Sequence, residues 1–397
     1  MTASVSYASC PVCGCATVTP IFSIPQLPVH STVLWPSREE AMNTIRGDMR
    51  LSFCPECGHL YNSAFDSHRI EYTTNYENSL HHSGVFQGYV EELASSLIAR
   101  FSLRGKRVLE IGCGQGDFLA YLCERADCTG TGFDPSYIAS ASSGAGRERM
   151  TIVSDFYSER YADRQADLII CRQVLEHIAE PRTLLEEVRR SIGTRSTTAV
   201  FFEVPSVLYH IRARDLWAFV YEHVSFFSPS SLAVLFSSMG FEVQGLRDLF
   251  ASQFLGIEAT PAAGARAQLP GDQNTRLHEI RDLAGAFSAL ADQTLRAWEE
   301  RFRTWSSGGR RVVVWGGGAR CTNFLNMVGG SKIVEYVVDI NPRKHGSFVA
   351  GTGQRIVAPE FLVQYAPSVV VLLNPIYEQE IRASLAGLGV AADIVGV

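Results

Sequence analysis

The sequence predicts an α/β fold on three observations. Residues 69–260 alternate strand-like and helix-like patterns, as a sheet layered with helices requires. At 107–124 an apolar strand, RVLEI, runs into a glycine turn and then into the helical stretch DFLAYLCE. A second strand–glycine–helix unit, RRVVVWGGGA, opens at 310–319. A stretch rich in cysteine, proline and turn formers stands ahead of both.

The chain of 397 residues is long for one domain, since roughly 100–200 residues per domain is usual. Composition shifts divide it into 1–68, 69–260, a linker and long helix at 261–306, and 307–397. TPAAGARAQLPGDQNT at 260–275 is small, polar and rich in breakers, which marks a linker. Leu277, Ile280, Leu283, Phe287, Leu290, Leu295 and Trp298 follow at near-helical spacing. No repeat of solenoid period is visible.

Charge and hydropathy exclude several classes. A net charge of -6 argues against nucleic-acid binding, which needs a basic face. An apolar fraction of 46% with 19% charged residues suits a globular protein with real cores. No apolar run reaches the ~20 residues that cross a bilayer. MTASVSYASCPVCG lacks the basic and apolar regions of a signal peptide. The expected location is the cytoplasm, where thiols stay reduced and paired cysteines favour a metal over a disulfide.

Two CxxC pairs carry that expectation: Cys10 with Cys13, and Cys54 with Cys57. Each spacing lets both thiolates of a pair reach one ion, and two pairs complete a tetrahedral Cys₄ set with no open position. Such a closed zinc site is structural, because it cannot activate water. The gap between the pairs is longer than in the usual zinc ribbon, and Cys15 is a rival ligand. A redox CxxC lacks the βαβ context it would need. Nucleic-acid binding by a zinc ribbon is disfavoured by three Arg, no Lys and five acidic residues in 1–68.

The glycine loop after Val108 is the strongest motif. Glycines let a backbone turn sharply and approach a ligand closely, and α/β folds bind ligands at the carboxyl ends of strands. Its neighbours add to it. GFDPS places Asp134 at the end of the next strand, where an acid can accept both ribose hydroxyls. SDFY places Asp155 to accept from an adenine amine and Phe156 to pack on its ring. ADLIICRQVLEH supplies a further strand and the helix after it. This ordered set resembles that of class I S-adenosylmethionine-dependent methyltransferases over about 100 residues. A dinucleotide loop would read GxGxxG instead. The resemblance implies that Glu110, Gly112, Cys113, Gly114 and Gly116 hold the amino-acid end of the donor. It implies that Asp134 takes the ribose and Asp155 the adenine, with Phe118, Pro135 and Phe156 lining the same site. Glu176 and His177 read as a helix start packed behind the donor.

The whole architecture resembles a narrower family: an N-terminal Cys₄ zinc domain, a class I methyltransferase domain and a C-terminal Rossmann-like domain. Its best-known members C-methylate nucleotide-linked keto-deoxysugars. YTTNYENSLHHS at 72–83, EVP at 203–205 and YEHVSFFS at 221–228 add to the match. A carbon beside a ketone needs a base before it can attack a methyl group, and histidine suits that task near neutral pH. The family implies that His223 is the base and Glu222 orients it. Tyr221 and Tyr76 are candidate donors to the enolate oxygen, with His81 and His82 as outside candidates. This chain reads Tyr-Glu-His where the family more often reads Tyr-x-Glu-His, so Tyr221 need not point as the family tyrosine does. O- or N-methylation of another small metabolite or peptide would use the same donor. A non-catalytic donor-binding scaffold is the reading of another class.

In the last segment, Gly316, Gly317 and Gly318 follow a strand, and Asp339 ends the next one. Alone this suggests dinucleotide binding. The resemblance implies a Rossmann-like module without a redox cofactor, with the nucleotide part of the substrate as its candidate contact. Arg343, Lys344 and His345 are candidates to meet a phosphate. The expected partner is a small molecule, with no nucleic acid and no membrane.

Overall fold

The computed structural model describes residues 9–70, 77, 80–138, 145–262 and 273–397, with backbone alone at 273–275. It has three sheets, and the predicted α/β class is what it shows. The first sheet is antiparallel: β1 (Thr19–Pro28), β2 (Arg46–Phe53) and β3 (Leu60–Asn62), completed by the two-residue strand Ser225–Phe226 from far along the chain. A short helix, α1 (Arg38–Met42), lies between β1 and β2.

The second sheet holds β4 (Arg107–Ile111), β5 (Thr129–Phe133), β6 (Met150–Val153), β7 (Leu168–Arg172) and β8 (Ala199–Pro205), all parallel. Ser225–Phe226 is β9, and β10 (Phe241–Leu249) and β11 (Phe254–Pro261) follow as an antiparallel pair at the edge. The strand order is β10-β11-β8-β7-β4-β5-β6. The chain therefore reverses direction across the sheet at β4, and the crevice at its carboxyl end is where ligands bind in such sheets. Parallel strands covered on both faces read as unbroken apolar runs. Leu168, Ile169, Ile170 and Cys171 of β7 are all buried, as are Ala199 to Val204 of β8.

Helices α2 (Gly84–Phe101), α3 (Asp117–Ala126), α4 (Pro181–Ile192), α5 (Val207–Arg212) and α6 (Pro229–Ser238) go with this sheet. Helix α4 starts on Pro181, whose missing N–H costs nothing there, and buries Leu184, Leu185, Val188 and Ile192 on one stripe. In α6 the side chains of Ser228 and Ser231 bond each other's backbone N–H, which fixes its start.

Helix α7 (Gln273–Ser307) has 35 residues, about 52 Å at 1.5 Å per residue. It buries Ile280, Ala284, Phe287, Ala291, Trp298 and Phe302, a helical stripe. That stripe shares one core with the first sheet and one face of the third. Each large side chain in it contributes on the order of 2 kcal/mol.

The third sheet is parallel: β12 (Val312–Trp315), β13 (Val334–Val338), β14 (Arg355–Val357), β15 (Val369–Leu372) and β16 (Asp393–Gly396), ordered β14-β13-β12-β15-β16. Helices α8 (Ala319–Met327), α9 (Phe361–Tyr365) and α10 (Glu378–Gly387) accompany it. Again the central strand, β12, ends in a glycine loop. Among the described residues, no helix is long and apolar enough to cross a membrane.

Asn323 on α8 is fully buried, and its amide donates to the carbonyls of Trp217 at 3.2 Å and Phe219 at 2.9 Å. These bonds hold the chain just before Tyr221. Asn323→Ala strands both acceptors and is expected to cost about 2–3 kcal/mol. The measurement is the denaturant midpoint at unchanged slope; a loss below about 0.5 kcal/mol, the range of ordinary surface changes, would refute the anchoring role.

Candidate functional site

The crevice at β4 is shaped by three left-handed glycines. Gly112, Gly114 and Gly116 have φ of 69°, 57° and 80°. A Cβ on Gly112 would lie 2.2 Å from Val174 Cγ2, and one on Gly116 2.5 Å from Ile152 Cδ1. Gly114 has nothing within 4 Å of that position, so its flank is open to a ligand. Gly116 also begins α3 with no side-chain cap.

Glu110, second to last on β4, is buried, and its Oε2 has no hydrogen-bond partner. Burial pushes its carboxyl up to about 7, against the pull of the Arg172 guanidinium. Arg172 itself stacks 4.1 Å over the Phe118 ring and reaches Glu203 Oε1 at 3.3 Å. Glu203 also accepts from Gln173 Nε2 at 3.0 Å and from the Tyr89 hydroxyl. The sequence marked EVP only as part of a pattern; the structure makes its Glu203 the centre of a buried polar floor.

Asp134 follows β5 and faces the glycine loop. Its Oδ2 accepts the Gly114 N–H at 2.8 Å, and its Oδ1 accepts the Ser136 N–H at 2.8 Å and the hydroxyl at 2.6 Å. Each carboxylate oxygen has further lone pairs for a ligand hydroxyl. Pro135 beside it is exposed, and Cys113 is buried with its sulfur facing Gly132. Asp155, after β6, accepts from the Phe156 N–H, the Tyr161 hydroxyl and Arg160. Phe156 is 65% exposed, an unusual position for a phenylalanine. Ile138, 43% exposed in the loop after β5, is a second apolar side chain that the sequence did not single out.

The Tyr-Glu-His stretch is only partly assembled as expected. Tyr76 lies outside the described residues. Tyr221 is turned away: its ring stacks on Phe65 at 5.5 Å, and its hydroxyl accepts the Asp66 N–H at 3.0 Å. Its aromatic face fits against Gly47, where even a Cβ would clash, so it belongs to the packing of the first sheet. Glu222 does not hold His223 through its side chain. Its Oε2 accepts from the N–H of Ser31 at 3.2 Å and from the Ser31 hydroxyl, and its Oε1 has no partner. Burial pushes its carboxyl up to about 7.

The neighbour of His223 is His177, ring centroids 4.7 Å apart and planes perpendicular. His177 Nδ1 lies 3.0 Å from the Glu222 carbonyl oxygen. Burial pushes His177 down to about 4. Burial, then His177, His210 and Arg320, hold His223 well below its usual range, so both rings are neutral at pH 7. Glu176, before His177, is 1% exposed, has an unpartnered Oε2, and is pushed up to about 8 by burial. The sequence read this pair as packing; only the fold brings it beside His223. His81 stands edge-on to Phe86 of α2. Behind the cluster, Asp215 Oδ2 joins His210 Nδ1 at 3.1 Å to Arg320 Nε at 3.0 Å, and Arg320 continues to Gln253.

The four expected cysteines do converge. Cys10 and Cys57 sulfurs are 3.7 Å apart, Cys13 and Cys54 sulfurs 3.5 Å, and all four lie within 4.8 Å of one another. Crowding splits their acidities: hydrogen bonds from Cys54 and Cys57 lower Cys10 to about 5, while Cys57 is pushed upward by its thiol neighbours. A divalent cation would relieve that crowding. Cys15 points elsewhere, to the Thr17 carbonyl at 3.5 Å.

The loop after β12 is filled from within. Asp339 Oδ2 accepts the Gly317 N–H at 2.8 Å and the buried Lys344 Nζ at 3.1 Å, and Oδ1 accepts the Asn341 N–H at 2.8 Å. Arg343 pairs with Glu77 at 3.2 Å, and His345 Nε2 sits 2.7 Å from the Asp339 carbonyl. Lys344 and His345 are thus committed to Asp339, since a buried carboxylate needs its cation, while Arg343 pairs with Glu77 from an exposed position.

Comparison with known proteins agrees with this geometry. The family model described as a methyltransferase domain matches residues 86–246, and one described as a C-methyltransferase C-terminal domain matches 261–391. C-methyltransferase NovU of Streptomyces niveus is 26% identical over 309 residues, 74% of this chain and 72% of that protein. A ubiquinone biosynthesis O-methyltransferase of Bordetella avium (strain 197N) is 28% identical over 178 residues, 41% of this chain and 70% of that protein. Among solved structures, an N,N-8-amino-8-demethyl-D-riboflavin dimethyltransferase (RosA) from Streptomyces davawensis aligns at TM-score 0.36 and 22% identity, covering 44% of this chain and 54% of that one. Sheet order, glycine loop and family matches make the chain a class I S-adenosylmethionine-dependent methyltransferase. Within that class it resembles the C-methyltransferases, whose C-terminal domain residues 261–391 match.

The close packing of Gly112 on Val174 has a measurable consequence. Gly112→Ala is expected to destabilise by about 2 kcal/mol or more, through the contact and the left-handed φ together. Val174→Ala removes the contact but not the φ strain, so the double variant recovers part of the loss. Chemical unfolding of all four proteins gives the coupling, expected above about 0.5 kcal/mol; strictly additive losses would count against the packing described.

Proposed function

We propose that the enzyme methylates a carbon beside a ketone on a nucleotide-linked deoxysugar, with His223 taking the proton. The observation that carries this is the pair of neutral histidines, His223 and His177, with the buried Glu176 carboxyl within 4.8 Å of them. Removing a proton from carbon requires a base that is unprotonated at the start, and the match to a C-methyltransferase spans most of both chains. The bound donor supplies an activated methyl group. His223 removes the substrate's proton and becomes a cation, and the Glu176 carboxyl within 4.8 Å favours that charge once it ionises. His177, oriented by the Glu222 carbonyl, holds the His223 ring edge-on.

The donor's place is supported by two features. The unpartnered Glu110 Oε2 offers an acceptor for the donor's ammonium, and the open flank of Gly114 leaves room for its chain. Asp134 is assigned to the ribose. Phe156, exposed after β6, is assigned to the adenine face, with Asp155 at its edge. Cys10, Cys13, Cys54 and Cys57 are assigned a structural zinc, and the segments 1–68, 69–260, 261–306 and 307–397 are proposed as the working units. The O-methyltransferase match favours oxygen as the second reading for the acceptor atom.

Two tests follow. Glu110 loses its charge as pH falls through about 7, so donor affinity by calorimetry is expected to drop from about pH 8 to about pH 6. Glu110→Gln should bind about tenfold more weakly, roughly 1.4 kcal/mol, with that pH dependence flattened. An equal slope in both proteins would remove Glu110 from the donor site. His223→Ala should keep donor affinity and lose about 10²–10⁴-fold in turnover, together with solvent deuterium exchange at the substrate carbon. Full activity in this variant ends the base assignment, and methylation of wild-type substrate without any exchange favours oxygen.

A further inference from the structure

We infer that Glu176, His177 and His223 form a second transition-metal site, separate from the four cysteines, which takes one zinc-class divalent cation and silences the base. One carboxylate oxygen and two imidazole nitrogens lie within 4.8 Å of one another. Zinc bonds of about 2.0–2.1 Å place tetrahedral ligand atoms about 3.3 Å apart, so modest side-chain rotation closes the set. Two imidazoles and one carboxylate is a donor set that zinc takes in sites with an open fourth position.

Three features prepare these residues for a cation. The unpartnered, 1% exposed Glu176 Oε2 is a buried acceptor that carries a cost of about 1–3 kcal/mol until something positive meets it. The Glu222 carbonyl can only accept, so His177 Nδ1 carries the proton and Nε2 is the nitrogen that can ligate a metal. Metal-bound histidines are oriented in this way by a carbonyl on the other nitrogen. His177 and His223 are each half-buried, which leaves a route from solvent.

Metal binding stands on this geometry alone. Its inhibitory effect rests on the reading of His223 as the base, because the cation occupies the lone pair that would receive the substrate's proton. The enzyme needs no metal at this point for its turnover; the ion is a reversible inhibitor.

The test uses the full-length, zinc-loaded protein titrated with cobalt(II) and followed by visible absorption and metal analysis. One further equivalent is expected, with weak d–d bands and no thiolate charge transfer. It should disappear in His177→Ala and in His223→Ala, and weaken by roughly tenfold or more in Glu176→Gln. If an alanine variant does not fold, the Gln variant at the same position replaces it. No equivalent beyond the cysteine set, or one that persists in both histidine variants, overturns the site. Added zinc should inhibit turnover reversibly on chelation. If the cobalt titration succeeds while His223→Ala remains active, the metal site stands and the base assignment falls. If cobalt binds and zinc does not inhibit, the silencing role is overturned.

Discussion

Everything at the proposed reacting centre depends on how one irregular stretch, residues 216–228, is held. It contains Glu222 and His223, has little secondary structure of its own, and is buried almost throughout. Each sheet contributes a restraint. Asn323, beside the third sheet, binds the carbonyls of Trp217 and Phe219. Ser31, beyond β1, binds Glu222 and in turn accepts from Thr322 of α8 at 2.8 Å. Asp66 binds Tyr221, β9 pairs with β3, and Ser228 caps α6. A loop gains a single shape only when its backbone groups are satisfied from outside. Here the outside is three different sheets, so His223, the proposed base, is positioned by parts of the chain far from it in sequence.

That dependence explains what could be read in advance. The glycine loop, its strand and Asp134 were legible because their chemistry is local: a strand, a turn that needs positive φ, a helix, an acid about twenty residues on. The cysteine set was legible because CxxC spacing constrains geometry directly. The surroundings of His223 were not legible. Ser31 and Glu222 are 191 positions apart, and Asp66 and Tyr221 are 155 apart. No periodicity or spacing encodes such meetings. Tyr221 was assigned by resemblance to the reacting centre, but the missing spacer before Glu222 accompanies a side chain turned into the first sheet. His177 was undervalued for the converse reason: beside Glu176 it reads as a helix start, and only folding puts it against His223.

The two glycine loops show how far local sequence carries. Both follow the central strand of a parallel sheet, and both have an acid at the end of the next strand. In the first, Asp134 accepts from Gly114 and Ser136, one buried oxygen of Glu110 has no partner, and Gly114 opens on empty space. In the second, Asp339 is answered by Lys344, Gly317 and Asn341. A buried charge must be compensated, by the protein or by a ligand. The chain compensates Asp339 with the Lys344 ammonium, and leaves one Glu110 oxygen for something else to meet.

The same reasoning applies at the histidines. Glu176 and Glu222 each keep one buried oxygen unmatched, and the Glu176 carboxyl lies within 4.8 Å of imidazoles that burial holds neutral. Unmatched buried acceptors are costly, about 1–3 kcal/mol each, and native proteins keep few of them. Together with Glu110, these two carboxyls leave an unmet need for hydrogen-bond donors or positive charge. A donor carrying ammonium and sulfonium groups, a histidine that gains a proton during reaction, and a divalent cation that replaces that proton all answer it. The stability given up to keep these oxygens unpaired is therefore the physical basis shared by donor binding, proton removal and metal inhibition in the proposed scheme.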